Sequence, residues 1–500
     1  MPTSDTNEET DLSRRQLLTY AGSTGAAATF VAGAGCVGGG DGDDGDDSND
    51  GDSTGDYDLL IYRDDQNRLI PRLATDWERV GEQEVSFELR EDVQFHDGRD
   101  LTAEDVAFTL ERSGNPEVSA IGDLIGNITG GRVEDGAPVI ELGSVVPAIF
   151  NNLTAFGRIL NQEWFEELDG DITTEINGTG AFQFEEFVDD TRVRYSKYDG
   201  YWGDDAPDFD EVTFTNIPEG GPRVDALLSG DSDLIVNVNP NNIADIQDTG
   251  GLEVKNQAST RNVFLQMNDV FEHFQSREFR LAMNYAVDVE SIVDSVLNGF
   301  GNPTAQVLLE GHTGHDPELE PYPYDPERAE NLIEESGFAG TELTLHTPVG
   351  RYLGDVDVAD AAAGQINELP NVSCTVERRD FGTLVGEILS TDQSDAPMFS
   401  LLGWSTPTFD AAYTMNTFFI DGIWRQYRND ELEQLLIEAD NLPPGEERTE
   451  LLQEASRIVH DEAAWVFMHQ QESIYGVNSE RIDWEPREDE DIRATDMTRA

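Results

Sequence analysis

Leu69-Ile70-Pro71-Arg72-Leu73-Ala74-Thr75-Asp76-Trp77 opens a stretch that ends in Leu101-Thr102-Ala103-Glu104-Asp105-Val106, and its reading decides the fold. Within it, Val85-Ser86-Phe87-Glu88-Leu89 alternates apolar and polar residues. Successive strand side chains point to opposite faces, so this is the pattern of a half-buried strand. His96-Asp97-Gly98 reads as a tight turn. Thr102 then starts a helix, with Asp105 three residues on as its capping-box partner. Val106, Phe108 and Leu110 supply the apolar face of that helix.

Downstream, strand and helix signals keep alternating. Short strands are expected between Phe182 and Phe214, punctuated by Gly178-Thr179-Gly180 and Gly200-Tyr201-Trp202-Gly203. Asp225-Ala226-Leu227-Leu228 predicts a short helix ending at Gly230, and residues 277–297 a single long one stopped by Gly299. Asp325 caps a helix with Pro326 at its first position and Gly337 at its end. Glu342–His346 and Cys374–Val376 read as strands flanking a helix near residues 356–369. Two helices, residues 430–439 and 446–459, are separated by Pro443-Pro444. Trp465–His469 is a buried strand, and the polar stretch 485–500 is expected to fray. No solenoid period is present. The class is α/β.

Upstream, residues 1–35 read as an export signal. Ser13-Arg14-Arg15-Gln16-Leu17-Leu18 matches the twin-arginine pattern, ahead of an Ala/Gly stretch too short and too weakly apolar for a membrane span. Ala34-Gly35-Cys36 looks like a lipobox, with Gly33 in place of the usual aliphatic residue, so Cys36 is the expected lipidation site. Residues 36–56 carry the lipid on a Gly/Asp/Ser tether with nothing to bury. The other cysteine, Cys374, lies in a strand pattern and reads as a small core residue.

The 500-residue chain has 31 basic and 102 acidic residues, a net charge of -71. Phosphate binding needs clustered Lys and Arg, so nucleic acid is excluded as a partner. The only lysines are Lys197 and Lys255. Such a chain repels itself in dilute buffer, whereas at about 1 M salt the Debye length is roughly 3 Å. A salt-loving source is the simplest explanation. Aromatic residues recur along most of the chain, which excludes an acidic disordered protein.

Together with Phe87-Glu88-Leu89-Arg90 and Phe95-His96-Asp97-Gly98, the opening stretch resembles the signature block of the family 5 extracellular solute-binding proteins, the oligopeptide/dipeptide/nickel-binding family of ABC importers. Gly178-Thr179-Gly180-Ala181-Phe182, Ala226-Leu227-Leu228-Ser229-Gly230-Asp231, Phe279-Arg280-Leu281-Ala282-Met283-Asn284-Tyr285-Ala286, Tyr324-Asp325-Pro326-Glu327-Arg328-Ala329 and Gly403-Trp404 follow in the family's order. The resemblance covers residues 69–471. The family's usual opening strand is missing here.

The resemblance implies a two-lobed, Venus-flytrap fold like that of periplasmic binding proteins, with mixed sheets and a hinge. Lobe I would hold residues 57–258 and 471–500, and lobe II residues 259–470. It implies a monomeric, non-enzymatic receptor on the outer membrane face. That receptor would capture a small solute, with peptides the leading choice, and pass it to the permease and ATPase subunits of an importer. No cofactor is expected. The alternatives are a sensory receptor and a secreted hydrolase. Against the hydrolase, no Gly-x-Ser-x-Gly elbow, His-Glu-x-x-His site or Walker A loop is present.

Four residues are candidates for the ligand site. Trp404 either borders the cleft or fills a core. Peptide-binding relatives often place an Asp three residues after this Trp, to meet the ligand's amino terminus. Pro407 stands there instead, which leaves Asp410 as a substitute anchor or else a surface or helix-cap residue. Arg351 aligns with an Arg that some relatives use for the ligand carboxylate, the alternative being a surface Arg. Tyr413, like Phe418, lines the cleft or packs a core. His312-Thr313-Gly314-His315 has no clear third ligand and gives no metal site. His96 reads as structural.

Overall fold

The computed structural model describes residues 55–500 except 65, 116–117, 120, 169–174, 189–190, 218, 391, 421 and 423. Arg14, Arg15, Cys36 and the tether up to residue 54 lie outside the described residues.

The opening stretch folds as its pattern requires. Ala74–Gly81 and Glu84–Leu89 form an antiparallel pair, and the second strand also pairs with Ala137–Leu142, which pairs with Ile128–Glu134. Val85 and Phe87 turn inward and join Val106 and Leu110 of the helix Ala103–Ser113 in one buried cluster. The helix starts where its cap predicts. The Asp105 N–H donates to Thr102 Oγ1 at 3.2 Å, and the Thr102 N–H donates to the Asp105 carboxylate at 2.9 Å.

His96 is structural. Its N–H donates to the Gly178 carbonyl at 2.9 Å, its Nε2 lies 3.0 Å from the Gly180 carbonyl, and its Nδ1 accepts from the Gly178 N–H at 3.3 Å. Burial lowers its pKa to about 4, so the ring is a neutral staple. The glycines it binds are there for space. A Cβ on Gly178 would lie 1.9 Å from the Asp56 carbonyl, and one on Gly180 2.0 Å from the Gly55 carbonyl. Beyond them, Phe182–Val188, Arg192–Lys197 and Glu211–Thr215 form a three-stranded antiparallel sheet. The helix Gly220–Ser229 then ends on left-handed Gly230.

Seven further strands make one mixed sheet. Thr341–Pro348 and Val372–Arg379 are parallel and joined by the helix Asp355–Ile366, as a parallel pair requires. Leu252–Met267 lies antiparallel between Phe399–Ser405 and Trp465–Asn478. Along Leu252–Met267 the side chains alternate between two apolar layers. Val263, Leu265 and Met267 enter one, with Cys374; Phe264 enters the other, with Leu402, Trp404 and Trp465.

Three expectations need correcting. Residues 277–297 hold two helices, Arg277–Ala286 and Val289–Ser295. Val287 between them is extended, and Asp288 accepts the Ser291 N–H at 3.0 Å, starting a new helix. The strand expected to end at His469 runs to Asn478. Finally, the stretch 485–500 does not fray. Ile492 and Ala494 are buried, and Glu490 pairs with Arg261 at 3.0 Å and accepts from Ser473 at 2.5 Å. The tail is polar because its charges are paired inside the molecule: Arg487 binds Asp489 at 2.8 Å and Arg493 binds Asp491 at 2.5 Å.

The lobe boundary expected at 258/259 and 470/471 would fall inside the two long antiparallel strands, beside a register shift between Ala258 and Asn262. From Ser259 onward the strand Leu252–Met267 is buried, while before it most residues are partly exposed. The tail spans this region: the Thr260 N–H donates to the Glu488 carbonyl at 3.0 Å, and Asn67 Nδ2 donates to the Glu488 carboxylate at 2.7 Å.

Candidate functional site

The seam between the lobes is built around Arg63, the last residue of the short strand Ile61–Arg63. Its Nε donates to Thr154 Oγ1 at 3.0 Å, and its Nη1 to the Asn67 carbonyl at 2.8 Å, both in the first lobe. Its Nη2 reaches the Thr408 carbonyl of the other lobe at 2.8 Å. The guanidinium lies 4.8 Å from the centre of the Phe409 ring. Burial lowers its pKa to about 10, against the pull of Asp489 and Asp410, so it is charged at neutral pH.

A second bridge is aromatic. Tyr413 of the helix Ala411–Phe419 stacks on Phe156 of the first lobe, with ring centres 6.0 Å apart at 29°. Trp404 stands 6.1 Å from Tyr413 and edge-on to Phe418 at 4.9 Å and Trp424 at 5.3 Å. Trp404 is therefore a core residue and a neighbour of the seam at once. Phe418 is buried in the core.

Asp410 is buried, not on the surface. It caps the helix Ala411–Phe419 through the Ala412 N–H at 3.0 Å. Arg448 grips both carboxylate oxygens, at 2.8 and 2.6 Å, and the two side chains are only 4% and 2% exposed. A buried fork of this kind fixes orientation. It holds the loop 406–410 against the helix Glu446–Asp461.

His312 packs edge-on against Phe409 at 5.2 Å. Its Nδ1 accepts the Leu309 N–H at 3.4 Å, so Nε2 carries the proton. Burial, reinforced by His315 and Arg63, lowers its pKa to about 3. The loops are tied by the Thr313 N–H to the Phe409 carbonyl at 3.0 Å and the Ala411 N–H to the Thr313 carbonyl at 3.2 Å. Among the described residues, no three His, Cys, Asp or Glu side chains converge as a metal site.

Arg351 is buried as well, and it lies apart from this group. Its guanidinium sits 5.0 Å from the Phe381 ring and 5.3 Å from the Tyr352 ring. Asp355 accepts the N–H groups of Arg351 and Tyr352 at 2.8 and 3.1 Å and so sets the loop. Tyr352 fills the space that a side chain on Gly403 would need, since a Cβ there would come within 2.8 Å of its ring. The glycine of Gly403-Trp404 thus admits Tyr352 on one face of the sheet, while Trp404 faces the other. Trp404, Asp410 and Tyr413 come together; Arg351 is across the strand from them.

Sequence reasoning missed Arg63, Phe156 and the tail. Arg63 is one Arg beside acidic residues, and nothing local shows that it reaches residue 408. The tail had a signal in arginines that flank a run of acids, Arg487-Glu488-Asp489-Glu490-Asp491-Ile492-Arg493.

Residues 68–426 match the family described as bacterial extracellular solute-binding proteins, family 5 Middle. A glutathione-binding protein of Salmonella typhimurium is 25% identical over 390 residues, 76% of each chain. The dipeptide-binding protein of Escherichia coli K12 is 25% identical over 452 residues, 81% of each. The Staphylococcus aureus NikA structure in complex with Ni(L-His)2 superposes with a TM-score of 0.78 at 21% identity, covering 90% of this chain and 95% of the other. The last comparison concerns the fold, which is that of the two-lobed binding proteins.

Proposed function

Because the chain belongs to the bacterial extracellular solute-binding proteins of family 5, we propose that it is the capture subunit of an ABC importer, taking a peptide or peptide-like solute. The observation that carries this reading is the seam. Arg63 and Phe156 of one lobe meet Thr408, Phe409 and Tyr413 of the other. A solute enclosed there touches both lobes only when they are closed. It therefore shifts the population toward the closed form by its differential affinity.

The hinge is assigned to the paired strands near residues 259–262 and 470–471, where the register shift lies. The closed surface is what the permease would read. Trp404 and Tyr413 line the solute, Asp410 holds the loop in place through Arg448, and Arg351, set apart across the strand, is a separate candidate for a solute carboxylate. Export through Arg14 and Arg15 and lipidation at Cys36 would leave the receptor tethered outside the cell, working as a monomer.

The test is a thermal-shift screen in multi-molar KCl against peptides, oligosaccharides and metal chelates. A solute at a hundred times its dissociation constant adds about 2.7 kcal/mol of stability. The expected result is a raised Tm and stoichiometric retention of unaltered solute. Release of a cleaved product contradicts the reading. If Arg351 is the partner of that carboxylate, Arg351→Ala abolishes the shift from free-carboxylate peptides and spares amidated ones; an equal loss for both, or no loss, removes Arg351 from the site.

A further inference from the structure

The seam carries an inventory of polar groups that is one-sided. Trp404 Nε1, Thr408 Oγ1 and His312 Nε2 are buried and have no hydrogen-bond partner among the described residues. Each belongs to a residue at least nine-tenths buried. An indole N–H only donates, and the His312 tautomer leaves Nε2 a donor because Nδ1 already accepts from Leu309. The Thr408 hydroxyl is able to donate.

Their residues adjoin one another in the fold. Thr408 supplies the carbonyl that Arg63 binds, Phe409 lies under Arg63 and against His312, and Trp404 is beside Tyr413 at the aromatic bridge. Buried donors without acceptors are costly, typically more so than a hydrogen bond is stabilising.

The charges point the same way. Arg63 is a buried cation at this place, and the carboxylates that act on it, Asp489 and Asp410, are each bonded to another arginine. Asp489 is held by Arg487 at 2.8 Å, and Asp410 by Arg448 at 2.6 and 2.8 Å. A solute ammonium would meet donors and a like charge. A carboxylate would meet donors and an opposite charge, with Phe156 and Tyr413 to pack against its apolar body.

We propose that the seam at residues 404–413 selects a carboxylate-bearing solute by that carboxylate, and that a solute ammonium is not recognised there. The proposal rests on the receptor reading above and names its substrate class.

The test uses the full chain folded in multi-molar KCl and four probes. These are N-acetyl-leucyl-phenylalanine, leucyl-phenylalanine, leucyl-phenylalanine amide and 3-phenylpropionate. Thermal shift and indole fluorescence report binding. Both dipeptides with a free carboxylate should bind within a few-fold of one another, and the amide at least tenfold more weakly. Binding of 3-phenylpropionate assigns the carboxylate to acidic solutes in general, and its failure beside bound dipeptides assigns it to peptide C-termini. Trp404→Phe keeps an aromatic ring and removes the donor, and Thr408→Val keeps the shape. Each should weaken carboxylate probes about tenfold, the scale of one hydrogen bond to a charged group; Thr408→Val, which keeps the packing, should do so without lowering the Tm of the free protein, whereas Trp404→Phe also loses buried ring packing.

Binding of the amide as tightly as the free dipeptide overturns the proposal and leaves the receptor reading standing. So does binding of neutral sugars alone. Unchanged carboxylate affinity in both variants also overturns it. Absence of binding by every solute tried removes the receptor reading and the proposal together.

Discussion

The lobe built on the seven-stranded sheet and the lobe built on the four- and three-stranded sheets hold themselves together by different means. In the first, two apolar layers cover both faces of one sheet, and Phe264 stacks flat on Trp465 with ring centres 3.6 Å apart. In the second, the apolar clusters are smaller, and arginine hubs join the pieces. Arg72 binds Asp58 at 2.8 Å and Asp205 at 2.9 Å and lies over the rings of Tyr62 and Trp202. Arg132 binds Glu84, Glu134 and Glu141 at 2.8, 2.8 and 2.6 Å.

The difference matters in a chain of net charge -71. Salt screens the self-repulsion of both lobes, and at low salt the lobe with the smaller apolar clusters has less burial to set against it. The lobe with the arginine hubs should loosen first as KCl is lowered, and hydrogen exchange along the chain would show which lobe opens. Loss of protection in Leu252–Met267 before Glu84–Leu89 would reverse the comparison.

The largest effect is expected from breaking an apolar layer. Phe264→Ala removes a fully buried ring between Trp465 and Phe418, and should cost about 3–5 kcal/mol in thermal or denaturant unfolding at any KCl concentration. Next comes the tail. Glu490→Ala leaves Arg261 buried without its carboxylate, a loss of about 3 kcal/mol or more. If the tail is a loose appendage, the same variant changes nothing.

A smaller effect of opposite sign is expected at Asp440. Burial pushes its carboxyl from 3.8 up to about 6, with Arg448 opposing and Asp410 reinforcing the shift. The unfolded chain ionises this group more readily than the folded one, so ionisation costs the fold stability. That penalty is absent below about pH 4, grows between about pH 4 and 6, and is constant above. Asp440→Asn should therefore be more stable than the parent at pH 7, by about 2–3 kcal/mol, and flatten the stability curve in that window. A variant of unchanged or lower stability at pH 7 would show that Asp440 is not strained.

The smallest effect is at the surface. Arg132→Ala removes a partly exposed hub and should cost little stability, and less still in high salt. A larger, salt-independent loss would make the hubs equivalent to the core and erase the contrast.

Much of the architecture was legible because it is written locally. The alternation of Val85–Leu89, the Thr102 cap, and the Asp325-Pro326 start and Gly337 stop act within a few residues, and each is where its chemistry places it. The break at Val287-Asp288 was hidden because an apolar stripe runs through both helices. The site was half legible. Trp404 and Tyr413 are marked by their neighbours in sequence, whereas Arg63 acts on Thr408 from 345 positions away. The role of Asp410 depends on Arg448, 38 positions on. Burial of an ion pair is decided by the partner, and the sequence around either residue does not contain it.

The most direct test of the two-lobed clamp is a distance across it. Phe187 and Ile437 are exposed, one on each lobe. Cys374 is buried, with its thiol pushed up to about 12, and with Cys36→Ser as background neither native cysteine competes for thiol labels. With Phe187→Cys and Ile437→Cys carrying a dye pair, single-molecule energy transfer in multi-molar KCl should show the more compact population growing as a bound solute is added. A distance distribution that is the same with and without every solute that raises the Tm would contradict the account.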